Sequence, residues 1–405
     1  MICDHFGVCG GCSQQNIAYE QQLAQKELIV KNELSSISIK EFNSILPSPD
    51  LFFFRNKMEF SFGNERDIEI YNKSQPSPRL ACQATWQASS TLNVHIGLHP
   101  KGRFALVVPT PNCLILSKES QVILNVVQEW ANQHKITTYV RKNGLGDLRH
   151  LVIREGKNTG ERLVNLVAKS QTPHIDELAI SIQKTGLVSC FTWTAHDGRS
   201  DVVTGPLHKI FWGPGWIQEK LGTVLFQVHP FSFFQTNTKA AENMIGLLRN
   251  KITEVGTIGS NSRLIDLYCG VGSIALNLCD LFDETLGVEI SPDSVKDAVK
   301  NTELNNKQKV SFQASKAEDM LSLIEGLTSS DTVVVDPPRA GLHPKVIEAT
   351  IKSKIKKLFY VSCNPESLKR DLLLLTSRFS VDKIQPMDFF PHTPHIETVA
   401  FLSAS

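Results

Sequence analysis

The stretch Arg263-Leu-Ile-Asp-Leu-Tyr-Cys-Gly-Val-Gly-Ser-Ile-Ala275 decides the fold of the second half of the chain. An apolar run is followed by two closely spaced glycines and then by a helix-forming segment. This order is typical of a parallel strand that leads through a ligand-binding loop into a helix, because glycine lets the backbone approach a nucleotide at the helix N-terminus. The stretch therefore predicts a nucleotide-binding α/β domain.

Two acidic residues indicate which nucleotide this loop would bind. Gly270-x-Gly272-x-x-Ala275 also fits the dinucleotide fingerprint, so the glycines alone leave NAD and S-adenosylmethionine (SAM) open. Asp266 would repel a pyrophosphate, whereas it suits the cationic sulfonium and the amino group of SAM. Glu289 ends the next apolar run and could accept hydrogen bonds from the ribose hydroxyls of either cofactor. We therefore expect SAM.

Strand-like and helix-like runs alternate after about residue 225, which predicts a doubly wound parallel sheet. A helix at 237–251 is followed by strands at 263–268, 285–290, 309–313, 331–335 and 357–362, with helices between them at 272–281, 293–304, 344–352 and 366–376. The connection between two closing strand-like runs, 380–386 and 396–402, is too short for a parallel crossover, so the last strand should be antiparallel. This is the strand plan of class I SAM-dependent methyltransferases.

The first half of the chain has a different pattern. Residues 14–35 predict a helix, and the region from about 50 to 205 contains short β-type runs separated by turns. The predicted fold class is therefore α/β, with a Rossmann-like C-terminal domain, a central sheet-rich α+β domain and an N-terminal segment. The predicted boundaries are 1–46, 47–224 and 225–405.

Composition limits the class of protein. The 405-residue chain has a net charge of +1 and nine cysteines. It contains no apolar run of the roughly 18 residues that a transmembrane helix needs, and its N-terminus lacks the pattern of a signal peptide. We therefore expect a cytoplasmic protein with no membrane partner, whose cysteines are metal ligands or reactive thiols. The near-neutral charge argues weakly against binding nucleic acid by bulk charge.

Cysteines are concentrated at the N-terminus. Cys3, Cys9 and Cys12 lie within the first twelve residues, and Cys9-Gly-Gly-Cys12 has the spacing of a metal-binding clip. A segment this short cannot bury thiols in a core of its own, so we favour metal binding over chance clustering. The spacing leaves zinc and an iron–sulfur cluster open. Cys113 and Cys82 are the candidates for a fourth ligand.

Three reactive side chains fall at the carboxyl edge of the predicted sheet, where open α/β sheets bind ligands. Asp336 follows the fourth strand in Asp-Pro-Pro-Arg339, Cys363 follows the fifth, and Glu397 begins the last. We expect the helix that follows Cys363 to favour its thiolate. Thiolate addition to C6 of a uracil would let C5 attack the methyl group of SAM, and a base would then remove the C5 proton. Cys363 and Glu397 fit these two roles.

The chain resembles the RNA uracil-C5 methyltransferases that carry an iron–sulfur cluster. The matching segments occur in the family's order along nearly the whole chain: Cys3…Cys9-Gly-Gly-Cys12, Phe54-Arg-Asn-Lys57, Phe231-Ser-Phe-Phe-Gln235-Thr-Asn237, Asp266-Leu-Tyr-Cys-Gly-Val-Gly272, Asp336-Pro-Pro-Arg-Ala-Gly341, Ser362-Cys-Asn-Pro365 and Phe390-Pro-His-Thr-Pro-His-Ile-Glu397. The resemblance places Cys363 on the family's nucleophile and Glu397 on its base, and assigns RNA binding to the central region.

The resemblance also implies two cofactors. A [4Fe–4S] cluster would be held by Cys3, Cys9, Cys12 and Cys113, with Cys113 preferred to Cys82 because the family's fourth ligand has a similar Cys-x-Leu context. Leu114 replaces the usual proline after that cysteine. SAM or the uracil would be contacted by Gln235, Tyr268, Glu289 and Asp336, beside the loop glycines Gly270 and Gly272.

The RNA substrate is less defined than the chemistry. The family acts on 23S ribosomal RNA and on the T-loop of tRNA, and the motifs are shared by both groups. By analogy with bacterial members that carry a cluster, we expect 23S rRNA, with the T-loop uridine as the alternative. We also expect a monomer that lacks the additional β-barrel RNA-binding domain of some members. A non-catalytic RNA-binding or maturation factor and an NAD-dependent oxidoreductase are more distant alternatives.

Overall fold

The computed structural model describes residues 2–73, 93–200, 202–254 and 261–404. The chain packs as two compact units. The first unit consists of Met1–Asn16, Leu51–Glu219 and Val228–Phe231, and the second of Ile17–Asp50, Lys220–Gln227 and Ser232–Ser405.

The helices and strands of the described residues are numbered in chain order. The helices are α1 Tyr19–Glu33, α2 Glu65–Lys73, α3 Lys118–Gln133, α4 Ile175–Lys184, α5 Thr238–Glu254, α6 Ser273–Leu278, α7 Pro292–Leu304, α8 Leu321–Glu325, α9 Pro344–Lys352 and α10 Pro365–Leu375. The strands are β1 Ile39–Phe42, β2 Lys57–Asn64, β3 Val94–Leu98, β4 Val108–Pro109, β5 Leu148–Glu155, β6 Arg162–Ala168, β7 Cys190–Ala195, β8 Leu207–Trp212, β9 Ile217–Leu221, β10 Val224–Val228, β11 Arg263–Leu267, β12 Glu284–Glu289, β13 Val310–Ala314, β14 Asp331–Val335, β15 Lys357–Ser362, β16 Phe379–Met387 and β17 Glu397–Ala404. None of the described helices combines the length and apolar character that crossing a membrane requires.

The second unit is built on an eight-stranded sheet in the order β1-β16-β17-β15-β14-β11-β12-β13. Strands β11 to β15 pair in parallel, and β17 is antiparallel to both of its neighbours, which confirms the predicted doubly wound plan and its antiparallel last strand. Because β14 and β15 are central and buried along their whole length, their sequences are nearly continuous apolar runs. The sheet therefore places the loops after β11, β12, β14 and β15 at one edge.

The N-terminal part of the chain contributes to this sheet, which corrects the predicted boundary at residue 46. Strand β1 pairs in parallel with β16. Val30 of α1 belongs to the same apolar core as Leu368 and Leu372 of α10. Only residues 1–16 of the predicted 1–46 segment belong to the first unit. The strand was not predicted because β1 is four residues long and none of its side chains is fully buried.

The first unit contains a seven-stranded sheet in the order β4-β3-β2-β5-β6-β7-β8. Strands β6 and β7 pair in parallel, whereas the other described neighbours pair antiparallel. Helices α3 and α4 carry buried apolar faces that include Ile123, Val127, Leu178 and Ile182. This architecture agrees with the sheet-rich α+β domain that the short β-type runs predict.

Candidate active site

The register of β15 and β17 brings two predicted site residues together. Val361 lies opposite Val399 and Ser362 lies opposite Thr398. Cys363 directly follows Ser362, and Glu397 is the first residue of β17; the charge of Glu397 adds to the raised pKa of the Cys363 thiol, so the two side chains are neighbours. Side chains that are opposite in such a ladder leave the same face of the sheet and lie about 5 Å apart at Cβ.

Asp336 joins this pair from the end of β14. Its backbone N–H donates to the carbonyl oxygen of Leu267 at 3.3 Å, which holds the exit of β14 against the exit of β11. The Nε2 amide of Gln235 donates to Asp336 Oδ2 at 3.2 Å. Two prolines follow Asp336 and restrict the chain to an extended exit. The carboxylate is thus fixed at the edge where β15 and β17 present Cys363 and Glu397.

Burial and mutual repulsion raise the pKa values of the two carboxyl groups. Glu397 is 4% exposed. Burial raises the pKa of Glu397 well above its usual range, the charge of Asp336 raises it further, and Arg339 opposes the shift. Burial also raises the pKa of Asp336 to about 7, although the hydrogen bond from Gln235 acts in the opposite direction. Either group can therefore hold a proton near neutral pH.

The surroundings of the Cys363 thiol raise its pKa, which is opposite in direction to the helix-stabilised thiolate that the sequence predicts. Burial is the largest cause of its raised pKa, the carboxyl groups of Glu397 and Asp336 add to the shift, and Arg339 opposes it. The first turn of α10 is capped instead by Asn364, whose side chain accepts from the backbone N–H of Glu366 at 3.1 Å. A cation bound beside these carboxylates would favour the thiolate.

The loop after β11 has the backbone of a nucleotide-binding turn. Gly272 lies at the N-cap of α6 with a φ of +85°. A Cβ atom on Gly272 would lie 2.7 Å from Cζ of Phe312, so this position requires glycine. Tyr268 also adopts a left-handed φ of +67°, which is unfavourable for a side chain of this size and is typical of functional loops.

Asp266 and Glu289 offer acceptors beside this loop. Asp266 is fully buried; its Oδ2 accepts from the backbone N–H of Ala275 at 2.9 Å, and its Oδ1 has no hydrogen-bond partner among the described residues. Glu289 accepts from the backbone N–H groups of Gly270 at 3.1 Å and Ser291 at 2.9 Å. Each oxygen of Glu289 retains a lone pair, and the orphaned Oδ1 of Asp266 needs a donor or a cation.

Asp266 and Asp336 line the same cleft. It is lined by Leu221, Phe233, Gln235, Ala241, Met244, Ile245, Asp266, Tyr268, Cys269, Gly270, Val271, Ser273, Ile274 and Asp336. The predicted cofactor-binding residues Gln235, Tyr268, Gly270 and Asp336 therefore line one cavity. Gly272 lies in the chain between two lining residues, and Glu289 accepts from the N–H of Gly270. The burial of Asp266 raises its pKa well above the usual range, and Asp336 and Glu289 add to that shift. The cleft consequently favours a ligand that carries a positive charge.

The four predicted cluster cysteines meet in the first unit. The thiols of Cys3, Cys9 and Cys12 each raise the pKa of the Cys113 thiol, in addition to a larger effect of burial, to about 12. The N-terminal segment is held in place by two hydrogen bonds, from Cys3 N to Gln15 Oε1 at 2.7 Å and from Gly10 N to His99 O at 2.9 Å. Cys82, the alternative ligand, lies outside the described residues.

The spacing of these four sulfurs bears on the choice of metal. A single tetrahedral zinc ion would hold its thiolates about 3.8 Å apart, given Zn–S bonds of about 2.3 Å. No three of the four sulfurs, all of which the structure describes, lie within 4.8 Å of one another. These positions leave both zinc and an iron–sulfur cluster open as the centre. Buried thiols that repel one another in this way need a cationic centre to be present as thiolates.

Two residues near the sulfurs were not singled out from the sequence. Burial raises the pKa of Cys12, and a side-chain hydrogen bond with Gln15 opposes this shift. Burial lowers the pKa of Arg55, and the charges of Cys113 and Cys12, which face the guanidinium, oppose that shift. The signal for Arg55 is its position in Phe54-Arg-Asn-Lys57. A guanidinium at this point would balance part of the negative charge of a thiolate-ligated centre.

Known RNA methyltransferases are similar to this chain in sequence. The family described as tRNA (Uracil-5-)-methyltransferase matches residues 216–405. An RNA methyltransferase of uncharacterized substrate from Caldanaerobacter subterraneus is 34% identical over 410 residues, which cover 100% of this chain and 84% of that protein. The tRNA (uracil(54)-C(5))-methyltransferase of Pyrococcus furiosus is 32% identical over 400 residues, covering 99% of this chain and 84% of the relative.

A solved structure is similar to nearly the whole chain. It is that of the tRNA (uracil-54, C5)-methyltransferase of Pyrococcus abyssi in complex with S-adenosyl-L-homocysteine. The TM-score is 0.76 at 28% sequence identity, and the match covers 98% of this chain and 86% of the other.

Proposed function

Since the chain belongs to the family of RNA (uracil-C5) methyltransferases, we propose that it transfers the methyl group of SAM to C5 of a uridine in folded RNA. The observation that carries this proposal is the proximity of Cys363 to Glu397 and Asp336 at the end of the β15–β17 ladder, next to the cleft that contains Asp266 and Asp336. A nucleophile and a base on one face, beside an acidic pocket for a sulfonium, are the groups that uracil C5 methylation needs.

The side chains of the site would act in a defined order. Cys363 adds through Sγ to C6 of the uracil, so that C5 becomes nucleophilic and takes the methyl group, with S-adenosylhomocysteine leaving. Glu397 then accepts the C5 proton, the C5–C6 double bond re-forms and the bond from Cys363 to C6 breaks. Asp336 and Gln235 would orient the base through hydrogen bonds. The uracil must leave its stack to reach these groups.

The residues of the cleft fit SAM. When bound, SAM supplies an electrophilic methyl group on a positively charged sulfur. The unpaired Oδ1 of Asp266 and the raised pKa values of Asp266 and Asp336 favour such a cation. Glu289 would accept from the ribose hydroxyls, while Gly270 and Gly272 allow the backbone to approach the nucleoside.

The N-terminal sulfurs suit the iron–sulfur cluster that the resemblance implies. Cys3, Cys9, Cys12 and Cys113 would hold a [4Fe–4S] cluster, which supplies four iron centres for thiolate ligation. The meeting of four thiols and the facing guanidinium of Arg55 support a centre ligated by thiolates, and the resemblance favours the cluster over zinc. We propose a structural role for the cluster, because residues 1–16 contribute few apolar side chains to a core.

The candidate substrates are 23S rRNA and tRNA. The expected substrate is 23S rRNA, and the chemistry is the same for either RNA. The T-loop uridine of tRNA is the second candidate, supported by the similarity to the tRNA (uracil-54) methyltransferases of Pyrococcus. Methylation assays that offer the purified protein SAM and transcripts of 23S rRNA and of tRNA would separate the two.

The decisive experiment maps 5-methyluridine in total RNA from cells with and without the gene. We expect one 5-methyluridine to disappear when the gene is deleted and to return with the wild-type gene but not with Cys363→Ala. An unchanged 5-methyluridine map, together with no methyl transfer to either transcript, would contradict the proposed function.

A further inference from the structure

The buried face of α1 is polar in its first half. The buried residues of this helix are Gln22, Lys26 and Val30, which recur every fourth position and therefore share one side of the helix. The Lys26 side chain is 0% exposed. Lysine is almost never fully buried unless it has a partner, so this face has a specific role in the fold.

Lys26 is bound to the loop that precedes Glu397. Its Nζ donates to Asp388 Oδ1 at 2.7 Å and to the carbonyl oxygen of Phe390 at 3.0 Å. Asp388 is equally buried, and its second oxygen, Oδ2, accepts from the hydroxyl of Tyr19 at 2.9 Å. Helix α1 thus binds the start of the loop through a buried ion pair and a hydrogen bond to a backbone carbonyl.

Gln22 binds the middle of the same loop. Its Oε1 accepts from the backbone N–H of His392 at 2.9 Å, and its Nε2 lies 3.3 Å from His392 Nδ1. His392 has a φ of +65°, in the left-handed region that few non-glycine residues adopt. Gln22 is therefore one of the groups that hold the loop in this conformation.

The position of Glu397 depends on this loop. Residues 388–396 connect β16 to β17 without helix or strand, and Glu397 is the first residue after them, paired with Met387 at the end of β16. A loop that shifted would displace the first pair of the ladder. Misplacement of a catalytic group by about 1 Å can lower a rate by about 10²-fold.

We propose that Lys26 and Gln22 are positioning residues that hold loop 388–396 so that Glu397 reaches the C5 proton of the methylated uracil. The inference rests on the proposed function. A buried ion pair adds little net stability compared with apolar packing, whereas it does specify one geometry. The N-terminal helix is thereby part of the proton-abstraction apparatus, although it lies more than 350 residues before Glu397 in the chain.

The test uses variants that separate geometry from folding. Lys26→Met alone would leave Asp388 buried without its cation, so the main variant is Lys26→Met combined with Asp388→Asn, which removes both charges. Gln22→Met removes the second contact without touching a charge. Lys31→Met is the matched control, because Lys31 lies on the same helix but is half-exposed and pairs with Glu27 on the surface at 2.6 Å.

The measurement is rapid quenching of the full-length enzyme with SAM and whichever transcript, 23S rRNA or tRNA, the wild-type enzyme methylates. Formation and decay of the covalent RNA adduct are followed separately, and thermal melting monitors folding. We expect the double variant and Gln22→Met to form the adduct at nearly the wild-type rate and to resolve it about tenfold more slowly or worse. Lys26→Arg should restore part of the decay rate, and Lys31→Met should match the wild type.

The outcomes distinguish this inference from the function on which it rests. Folded variants whose adduct decays at the wild-type rate would overturn the positioning role. If the double variant does not fold, the rates of adduct formation and decay in Gln22→Met provide the same test. A slower adduct formation with unchanged decay would also overturn it. Absence of methylation and adduct in the wild-type enzyme would instead refute the proposed function.

Discussion

Cys363 and Glu397 adjoin the last pair of the β15–β17 ladder, Ser362 and Thr398, where the parallel part of the sheet meets its antiparallel last strand. Only an antiparallel strand can begin at the edge where a parallel strand ends. The carboxyl group of Glu397 therefore lies beside the thiol and raises its pKa. Burial and this neighbouring carboxyl group both raise the pKa of the thiol, and a bound sulfonium would act in the opposite direction.

Replacement of the candidate nucleophile should abolish the reaction. We expect Cys363→Ala to lower methyl transfer by at least about 10³-fold, the order seen when an enzyme loses its nucleophile, and to form no covalent RNA adduct. Transfer of radiolabelled methyl groups and denaturing gels of the RNA–protein adduct measure both effects. Cys279→Ala, a buried cysteine outside the cleft, is the control. Ordinary turnover by Cys363→Ala would refute the covalent mechanism.

Replacement of the candidate base should stop the reaction at a later point. Glu397→Gln keeps the shape of the side chain but cannot accept the C5 proton, so we expect methylated RNA to accumulate as a covalent adduct. Mass spectrometry of the trapped adduct would show whether it carries the methyl group. Glu366→Gln at the start of α10 serves as an exposed control. Rapid release of product by Glu397→Gln would remove this residue from the role of base.

The reactivity of the thiol should depend on pH in a direction set by its neighbours. Because Glu397 and Asp336 raise the pKa of Cys363 and Arg339 lowers it, the thiolate of the free enzyme forms only above the ordinary pH range of a cysteine. We expect Glu397→Gln to move the midpoint of alkylation to lower pH and Arg339→Met to move it to higher pH. Iodoacetamide labelling, quantified on the peptide that contains Cys363, measures both midpoints. Shifts of the opposite sign would contradict this electrostatic assignment.

The buried carboxyl group of Asp336 should lower the free energy of unfolding of the protein at neutral pH. Burial raises the folded-state pKa of Asp336 to about 7, above its unfolded value, so the native state binds the proton more tightly. The contribution of this group to the free energy of unfolding therefore falls as pH rises from about 4 to about 7. We expect Asp336→Asn to raise the free energy of unfolding by about 1–2 kcal/mol at pH 8, after allowance for solvent screening, and to have no such effect at pH 4.

Denaturant unfolding of the SAM-free protein at the two pH values measures this difference. Asp382→Asn, an exposed aspartate on β16 that pairs with Lys40, is the control. Destabilisation by Asp336→Asn at pH 8 would show that the carboxylate is compensated by contacts within the fold.

The fourth ligand of the N-terminal centre can be identified by metal analysis. We expect Cys113→Ser to lose most of its iron and the visible absorbance of an iron–sulfur cluster, because three cysteines near a chain terminus hold such a centre poorly. Iron and acid-labile sulfide per chain are the quantities to measure on anaerobically purified protein. Cys190→Ser, a buried cysteine of the same unit, should retain both. A colourless wild-type protein that contains zinc would overturn the cluster.

Periodicity and spacing were sufficient to predict the doubly wound sheet. The strands from 263 to 362 and the antiparallel last strand follow from alternating apolar runs and from one short connection. Residues at the strand ends could be grouped because parallel strands share an edge. The predicted site residues of the second unit therefore required no structure to be proposed.

Features that depend on contacts far apart in the chain could not be predicted in this way. Strand β1 joins the sheet beside β16 although some 340 residues separate them, and α1 buries Lys26 and Gln22 although neither residue is apolar. A pattern method assigns buried faces by hydrophobicity, so a polar face with a distant partner has no signature. The first domain boundary was misplaced for this reason.

The sequence by itself determined the order of strands and helices, the glycine loop and the chemical types of the candidate groups, because these depend on local periodicity and residue identity. Only the tertiary structure decided that Glu397 lies near Cys363, that burial and the neighbouring carboxyl groups raise the pKa of the thiol and that α1 binds the loop before Glu397. The physical reason is that register, burial and the pKa shifts they cause depend on partners that only folding brings together.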